Sequence, residues 1–392
     1  SHTGSGTTLD AIVRYASASG WVQDAIVGTP WDDPAPAVGE LASDSIHPLR
    51  FGRPPLAFAL PGMSDVMPYV SSRFAELSPA QLKVYCDTWR GHVAGVIDAV
   101  KPEVIHSHHI WLLSSMLKDN APDVPVVTHC HGTGLRQLEL CPHLADEVIA
   151  GCRRNDHFLA LHRQQAEQIG SVLDVDSSRI TVVGAGYRDA VFHSQGRQSA
   201  AAKNLVYAGK LSDSKGVPQL LDAMEILRRD DPGVVLDIAG SGASDEADAI
   251  KQHIESLQPN VTWHGQLSPD ELADLLRTAA VFVLPSFYEG LPLVVAEAVA
   301  CGCRVVASDL PGVREFASQL NDAIEIVPLP PMETIDQPRR EGLPDFVQNL
   351  ATALRETLTR SPLVQVEKLT APMRWQQVCH RIENLWRSIT SA

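Results

Sequence analysis

The chain has 392 residues, 44% of them hydrophobic, and a formal net charge of −15 at pH 7, a length suited to two cores rather than one. That acidic balance argues against a broad nucleic-acid or anionic-membrane footprint, so an anionic ligand would have to be held by a few local cations and backbone dipoles. No apolar run reaches the roughly 18 residues of a membrane span. No export signal is visible, and seven irregularly spaced cysteines fit reduced thiols in a cytoplasmic protein better than a disulfide framework.

In chain order, Ser1-His-Thr-Gly-Ser-Gly-Thr7 reads as a loop, and Leu9 to Ala18 as a helix from the spacing of Leu9, Ile12, Val13 and Ala16. A loop feeding a helix usually follows a strand, so a first strand is expected upstream. Strand-like runs come next at Ala25–Val27, Val104–His106, Val124–His129, Phe158–Leu161 and Ile180–Val183. A helix is predicted over Pro79–Val100, and Arg50–Ser78, with its many prolines, reads as an irregular insertion. His193–Lys203 is polar and aperiodic and reads as an interdomain linker.

The second half is more regular. Strands are predicted at Leu205–Ala208, Val234–Ala239, Val261–His264, Val281–Leu284, Arg304–Ala307 and Ile324–Val327. Helices separate them at Pro218–Arg228, Asp245–Leu257, Pro269–Thr278, Leu291–Ala300 and Val313–Phe316. Short strands alternating with helices indicate an α/β fold with doubly wound parallel sheets. Ligands are then expected at the carboxyl ends of the strands, in a central cleft between two such domains. The helical tail Met373–Ile389 is expected to return to the first domain. The expected division is therefore 1–193 and 204–372, with 373–392 packing back.

The segment Pro285-Ser-Phe-Tyr-Glu289-Gly-Leu-Pro-Leu-Val-Val-Ala-Glu297-Ala-Val-Ala-Cys-Gly302 carries the most chemistry. A buried strand ends, a loop holds Glu289, and a helix follows near Leu291 with Pro292 in its first turn. The free N–H groups of such a helix start form an anion site. Glu297 lies about two turns on, among Leu, Val and Ala on every side. An ionised carboxylate in that setting needs donors. A cation from another element, solvent through a gap, or the vicinal hydroxyls of a ribose would each serve.

Glu289 and Glu297 have the E-x7-E spacing of the GT4-type retaining glycosyltransferases. Tyr207-Ala-Gly209-Lys210-Leu-Ser-Asp-Ser-Lys215-Gly216 resembles that family's V-G-R-L-x3-K-G, and Ile238-Ala-Gly240-Ser-Gly242 its I-x-G-x-G. Val261-Thr-Trp-His-Gly265 and Ala307-Ser-Asp-Leu-Pro311-Gly312 resemble two further elements. In the first half, Val104-Ile-His106-Ser-His108-His109 resembles D-V-I-H-x-H, and Pro125-Val-Val-Thr-His-Cys-His131-Gly132 resembles P-V-V-x-T-x-H-G.

The resemblance implies a GT-B fold of two Rossmann-like domains, the first binding an acceptor and the second a nucleotide-sugar donor. It implies transfer with retention, from a UDP- or GDP-linked sugar, without a metal or other cofactor. Lys210 and Lys215 would neutralise the diphosphate; the family usually has Arg at the first. Glu297 would hold the ribose, Glu289 the sugar hydroxyls, and Gly290, Leu291, Pro292 and Leu293 the sugar and phosphate. Leu267 would lie beside the base, Gly209 and Gly240 would line the donor site, and Gly4 and Gly6 would form a glycine loop near the diphosphate. His131 would sit near the reacting carbon, and His108 and His109 on the acceptor side.

Blander readings stand beside these: solvated loop lysines for Lys210 and Lys215, and a hydrogen-bonded core histidine for His131. Neither Gly-Ser-Gly element continues as a dinucleotide fingerprint. His129, Cys130, His131, Cys141, His143 and Cys152 fit no zinc spacing. Strand alternation puts His106 and His108 on one face and His109 on the other, against a three-ligand site, so no metal is expected. With few Lys and Arg in the first hundred residues, the acceptor is expected to be small and soluble, within specialised metabolism or thiol or sugar-conjugate synthesis. Stable membrane insertion and nucleic-acid binding are not expected, and oligomeric state is open. A nucleotide-sugar epimerase of the same fold and a non-catalytic sugar-nucleotide sensor are the alternatives.

Overall fold

The computed structural model describes residues 4–63, 67, 70–197 and 203–391. The chain divides into two compact units, Ser1–Ala185 with Trp375–Ala392, and Gly186–Arg374.

The first unit opens on α1 (Gly4–Ala18), which takes in most of the stretch expected to be a loop. Gly4 and Gly6 therefore occupy the first turn of a helix. The reason is positional: first-turn N–H groups have no intrahelical partner in any case, so glycine costs less there than in a helix interior. Strand β1 (Ala25–Pro30) pairs in parallel with β2 (Ile46–Phe51). β2 overlaps the start of the expected irregular stretch, and two-residue strands at Pro61–Gly62 and Ser72–Arg73 lie within it. Pro48 hides β2 in the sequence, yet its missing N–H is tolerated because β2 is an edge strand.

Helix α2 (Pro79–Val100) starts on a capping box, with Ser78 Oγ accepting from Gln81 N and Gln81 Oε1 from Ser78 N. Its Tyr85, Trp89 and Val93, four residues apart, are buried along one stripe. A second parallel sheet follows, in the order β3 (Ile105–His108), β4 (Val126–His129), β5 (His157–Ala160) and β6 (Ile180–Val182). β1 and β3 each have one edge without a partner among the described residues. Both strands line a cavity of about 1250 Å³ that also takes in Gly6, Leu9 and Val13 of α1.

The C-terminal helix Trp375–Thr390 belongs to this unit. Val378, Ile382 and Trp386 repeat every four residues and pack with Ile12, Ala16, Val127 and Leu159. Its buried Glu383 accepts from Tyr15 Oη (2.9 Å), Trp21 Nε1 (3.1 Å) and Arg387 Nη2 (2.6 Å).

The second unit holds six parallel strands: β7 (Asn204–Ala208), β8 (Val235–Ala239), β9 (Val261–Trp263), β10 (Val281–Leu284), β11 (Arg304–Ser308) and β12 (Ile324–Val327). Their spatial order is β9-β8-β7-β10-β11-β12. Counted within the unit this is 3-2-1-4-5-6, the doubly wound order whose reversal between first and fourth strands creates a ligand crevice. One apolar cluster gathers Leu220, Met224, Phe346 and Leu350 on one face, and another gathers Val295, Val299, Phe316 and Leu320 on the opposite face. Helix Leu343–Leu358, which the sequence reading leaves unassigned, completes the first cluster.

The boundary falls ahead of the expected linker. Tyr187 and Phe192 are buried in the second unit's core. Arg197 donates to the carbonyls of Leu276, Ala279 and Cys301. The chain has thus joined that unit by Gly186, and residues 198–202 of the expected linker lie outside the described residues. Among the described residues no helix is long and apolar enough to cross a membrane.

Replacing Glu383 by Ala removes the acceptor of three donors at the junction of α1 and the C-terminal helix. A loss of about 2 kcal/mol is expected from charge-assisted bonds of this kind, measured as a lower urea midpoint at unchanged slope.

Candidate active site

The reversal in strand order brings together the loops that leave β7 and β10. Lys215 follows β7 and Glu289 follows β10, and Lys215 Nζ donates to Glu289 Oε1 at 2.8 Å. Ser286, fully buried at the end of β10, donates to the same oxygen at 2.9 Å. The backbones are joined too, with Phe287 N bonded to Ser214 O at 2.9 Å. Gly216 sits at φ +66° against Pro285, where a Cβ would collide with the Pro285 carbonyl oxygen. The two loops form one unit.

Behind them, Gly209 N bonds to Ala239 O (3.0 Å) and Gly240 N to Gly265 O (2.7 Å), tying the ends of β7, β8 and β9. Gly240 has φ +142° and lies so close to the Gly209 carbonyl that no side chain fits. Leu267, half-buried, lies in the loop beyond Gly265. Lys210 is exposed, and its carbonyl accepts from Tyr207 Oη. Among the described residues no hydrogen bond or ion pair joins its ammonium to the Lys215–Glu289 pair.

Helix α4 (Val217–Asp230) follows Gly216, and further on α5 (Leu293–Ala300) follows β10. α5 begins at Leu293, not near Leu291, and Pro292 is its cap rather than part of its first turn, held at ψ 90° outside the helical range. Gly290 and Leu291 therefore remain loop, and the first-turn N–H groups of Leu293 and Val294 lack upstream carbonyls.

Glu297 is half-buried in a helix otherwise of Leu, Val and Ala. Among the described residues its carboxylate has no hydrogen-bond or ion-pair partner. Burial pushes its pKa up to about 7, and the nearby charge of Arg188 only partly offsets this. The cation that would have made this acid an ordinary buried ion pair is thus a weak influence, and the demand for donors stands.

In the first unit, β3 and β4 run in parallel register with His108 opposite His129. Side chains two apart share a face, so His106, His108, His129 and His131 line one side of the sheet. Their rings stack: His129 and His131 centroids are 4.7 Å apart, His106 and His108 5.1 Å. His108 Nδ1 and His131 Nε2 share a hydrogen bond of 3.0 Å. His109, just past the strand at φ +70°, bonds Thr133 Oγ1 (3.2 Å), and its ring approaches His131 at 4.8 Å. His131 caps α3 (Gly132–Leu140) with its backbone. Burial holds all five imidazoles far toward the neutral form, lowering His108 to about 4 and His109 to about 3.

The model of glycosyl transferases group 1 matches residues 192–328, and that of the glycosyl transferase 4-like domain matches residues 3–186. The chain belongs to the GT4-type glycosyltransferases. It is 27% identical over 354 residues to a glycogen synthase of Mycobacterium tuberculosis, covering 86% of this chain and 77% of that one. Sucrose-phosphate synthase from Thermosynechococcus elongatus matches with a TM-score of 0.67 at 18% identity, over 99% of this chain and 94% of that one. HepE of Anabaena, in complex with UDP and glucose, matches with a TM-score of 0.61 at 16% identity, over 99% and 97% of the chains. The fold is GT-B.

In this glycosyltransferase, the sequence singles out Lys215 and Glu289 one by one, but neither their pairing nor Ser286, which supports it. Sequence reasoning also passed over Arg188, which the motifs do not contain. The grouping of His106 and His129 with His108 and His131 had a legible signal, an H-x-H pair on each of two neighbouring strands, but only the register joins the pairs.

Two outcomes follow from burial. Histidines with depressed folded pKa values bind fewer protons folded than unfolded below pH about 6.5. Stability is then lost as pH falls from about 6.5 toward 4, with a slope of up to about 1.4 kcal/mol per pH unit for each histidine. Urea midpoints at pH 7.5, 6.5 and 5.5 test this above the range of ordinary carboxylates, and a flat profile contradicts it. Glu297 acts with opposite sign, its folded pKa being raised. Glu297→Gln should therefore raise the melting temperature of the ligand-free protein more at pH 8 than at pH 6.

Proposed function

We propose that this glycosyltransferase moves a sugar, with retention, from a nucleotide-diphosphate sugar to a small water-soluble acceptor. The observation that carries the donor half is Glu297, a half-buried carboxylate with no hydrogen-bond or ion-pair partner among the described residues, on the helix that follows the loop of the ion-paired Glu289. A ribose offers two adjacent hydroxyl donors, which would satisfy both carboxylate oxygens and hold the ionised form. The diphosphate would then meet the first-turn N–H groups of Leu293 and Val294, with Lys210 and Lys215 as point charges. That set of cations and dipoles needs no divalent ion to hold the leaving group.

Glu289, fixed by Lys215 and Ser286, is rigid enough to receive hydroxyls of the donor sugar. Gly290 and Leu291 leave backbone N–H groups for the sugar and phosphate, and Leu267 offers an apolar contact to the base. UDP is favoured over GDP by the HepE complex, which holds UDP and glucose. On the acceptor side, neutral His131, bonded to His108 and beside His109, presents hydrogen bonds rather than charge. Gly4 and Gly6 lie in the first turn of α1, in place of the expected glycine loop. Chemistry on this reading is mostly charge stabilisation and positioning, with the departing phosphate accepting the acceptor's proton.

The experiment is a thermal-shift series with UDP, GDP and their sugar conjugates, in which a ligand at 100 times its dissociation constant stabilises by about 2.7 kcal/mol. Glu297→Ala should abolish the shift while the apo protein still melts cooperatively. With an active donor and acceptor pair, proton NMR of the product should show the donor's anomeric configuration. An inverted product overturns the reading.

A further inference from the structure

The histidine face of the first unit contains more than a packing solution requires. His129 is 0% exposed, and neither of its ring nitrogens has a hydrogen-bond partner. A neutral imidazole has one N–H and one lone pair, so both are left unsatisfied, each at the cost of an unmade buried bond. His106 Nε2 is buried and unpartnered as well. Nitrogens of His106, His108 and His129 all lie within 4.8 Å of one another.

We propose that His106, His108 and His129 form a site for one borderline divalent transition metal such as Zn²⁺, with His131 steadying His108. Three imidazoles with a fourth position open make a familiar zinc geometry, and the group contains no carboxylate to favour Mg²⁺, Ca²⁺ or Mn²⁺. Nitrogens around a tetrahedral zinc stand about 3.3 Å apart, from bonds of about 2.0 Å. The rings need only rotate and draw in by an ångström or so. Alternation along one strand puts His109 on the face opposite His106 and His108, which weighs against a three-ligand site within that strand. The register replaces His109 with His129 of the adjacent strand. His108 is held through its bond to His131, as metal-bound histidines commonly are by an outer partner.

A consequence concerns Trp386. Its Nε1–H donates to His106 Nδ1 at 3.2 Å, so in the metal-free protein the ring proton sits on Nε2. When the metal takes the Nε2 lone pair, that proton moves to Nδ1 and the ring remains neutral. Trp386 then loses its acceptor. Adventitious surface binding would not do this.

The test uses the tag-free full chain, freed of metal with a chelator and titrated with Co²⁺ and Zn²⁺. Calorimetry should give one ion per chain. Bound Co²⁺ should show the intense visible absorption of a tetrahedral site, and the indole N–H resonance assigned to Trp386 should shift. His129→Gln and His106→Gln should each weaken binding by at least about tenfold, the least that loss of even an outer partner causes. His143→Gln, on an exposed helix position, should leave it unchanged. Should His129→Gln fail to fold, His106→Gln decides. Absent binding, binding unaffected by both substitutions, or a still Trp386 resonance overturns the proposal.

Discussion

Between β7 and β10 the winding of the second unit's sheet reverses, so the loops leaving their carboxyl ends are not covered by one layer of helices and must satisfy each other. They do so through Lys215 and Glu289, through the Phe287–Ser214 backbone bond, and through the contact of Gly216 with Pro285. The opening of helix α5 and the position of Glu297 follow from where this joined loop ends. An exposed Lys–Glu pair would contribute little. Here the pair is mostly covered, at 25% and 20% side-chain exposure, and its glutamate has a second donor in Ser286.

Burial acts on this molecule with both signs, and partners decide the result. Glu297 and Glu383 both sit on helices with limited exposure. Glu383 receives bonds from Arg387, Trp21 and Tyr15 and is held below the usual carboxylate range. Glu297 has only the distant help of Arg188 and is pushed up to about 7. A partnered acid and an unpartnered one are thereby distinguished. The histidines of β3 and β4 show the same effect on a base: removed from water beside one another, they stay neutral and keep lone pairs available.

Glycosyl transfer asks a protein to hold a sugar donor with its leaving group and an acceptor at once. The second unit gathers cations, helix-start dipoles and glutamates at its strand ends, whereas the first gathers neutral imidazoles. That difference in chemistry accords with the GT4-type family assignment.

The amino-acid sequence by itself determined the alternation of short apolar strands with amphipathic helices, and hence the parallel α/β class. Val281–Leu284, Ile324–Val327, Pro79–Val100 and Pro269–Thr278 are legible to the residue. Apolar periodicity, capping serines and first-turn prolines are local signals, and local signals can be read from a chain. It also singled out Glu297, because a charge among Leu, Val and Ala is improbable without a partner. Tertiary structure alone decided the edge strand concealed by Pro48, the early entry of Gly186–Arg197 into the second unit, and the helical state of Gly4 and Gly6. It alone decided that Lys215 faces Glu289 and that His129 stands beside His108. These depend on strand order and register between segments many residues apart, which no periodicity within either segment encodes.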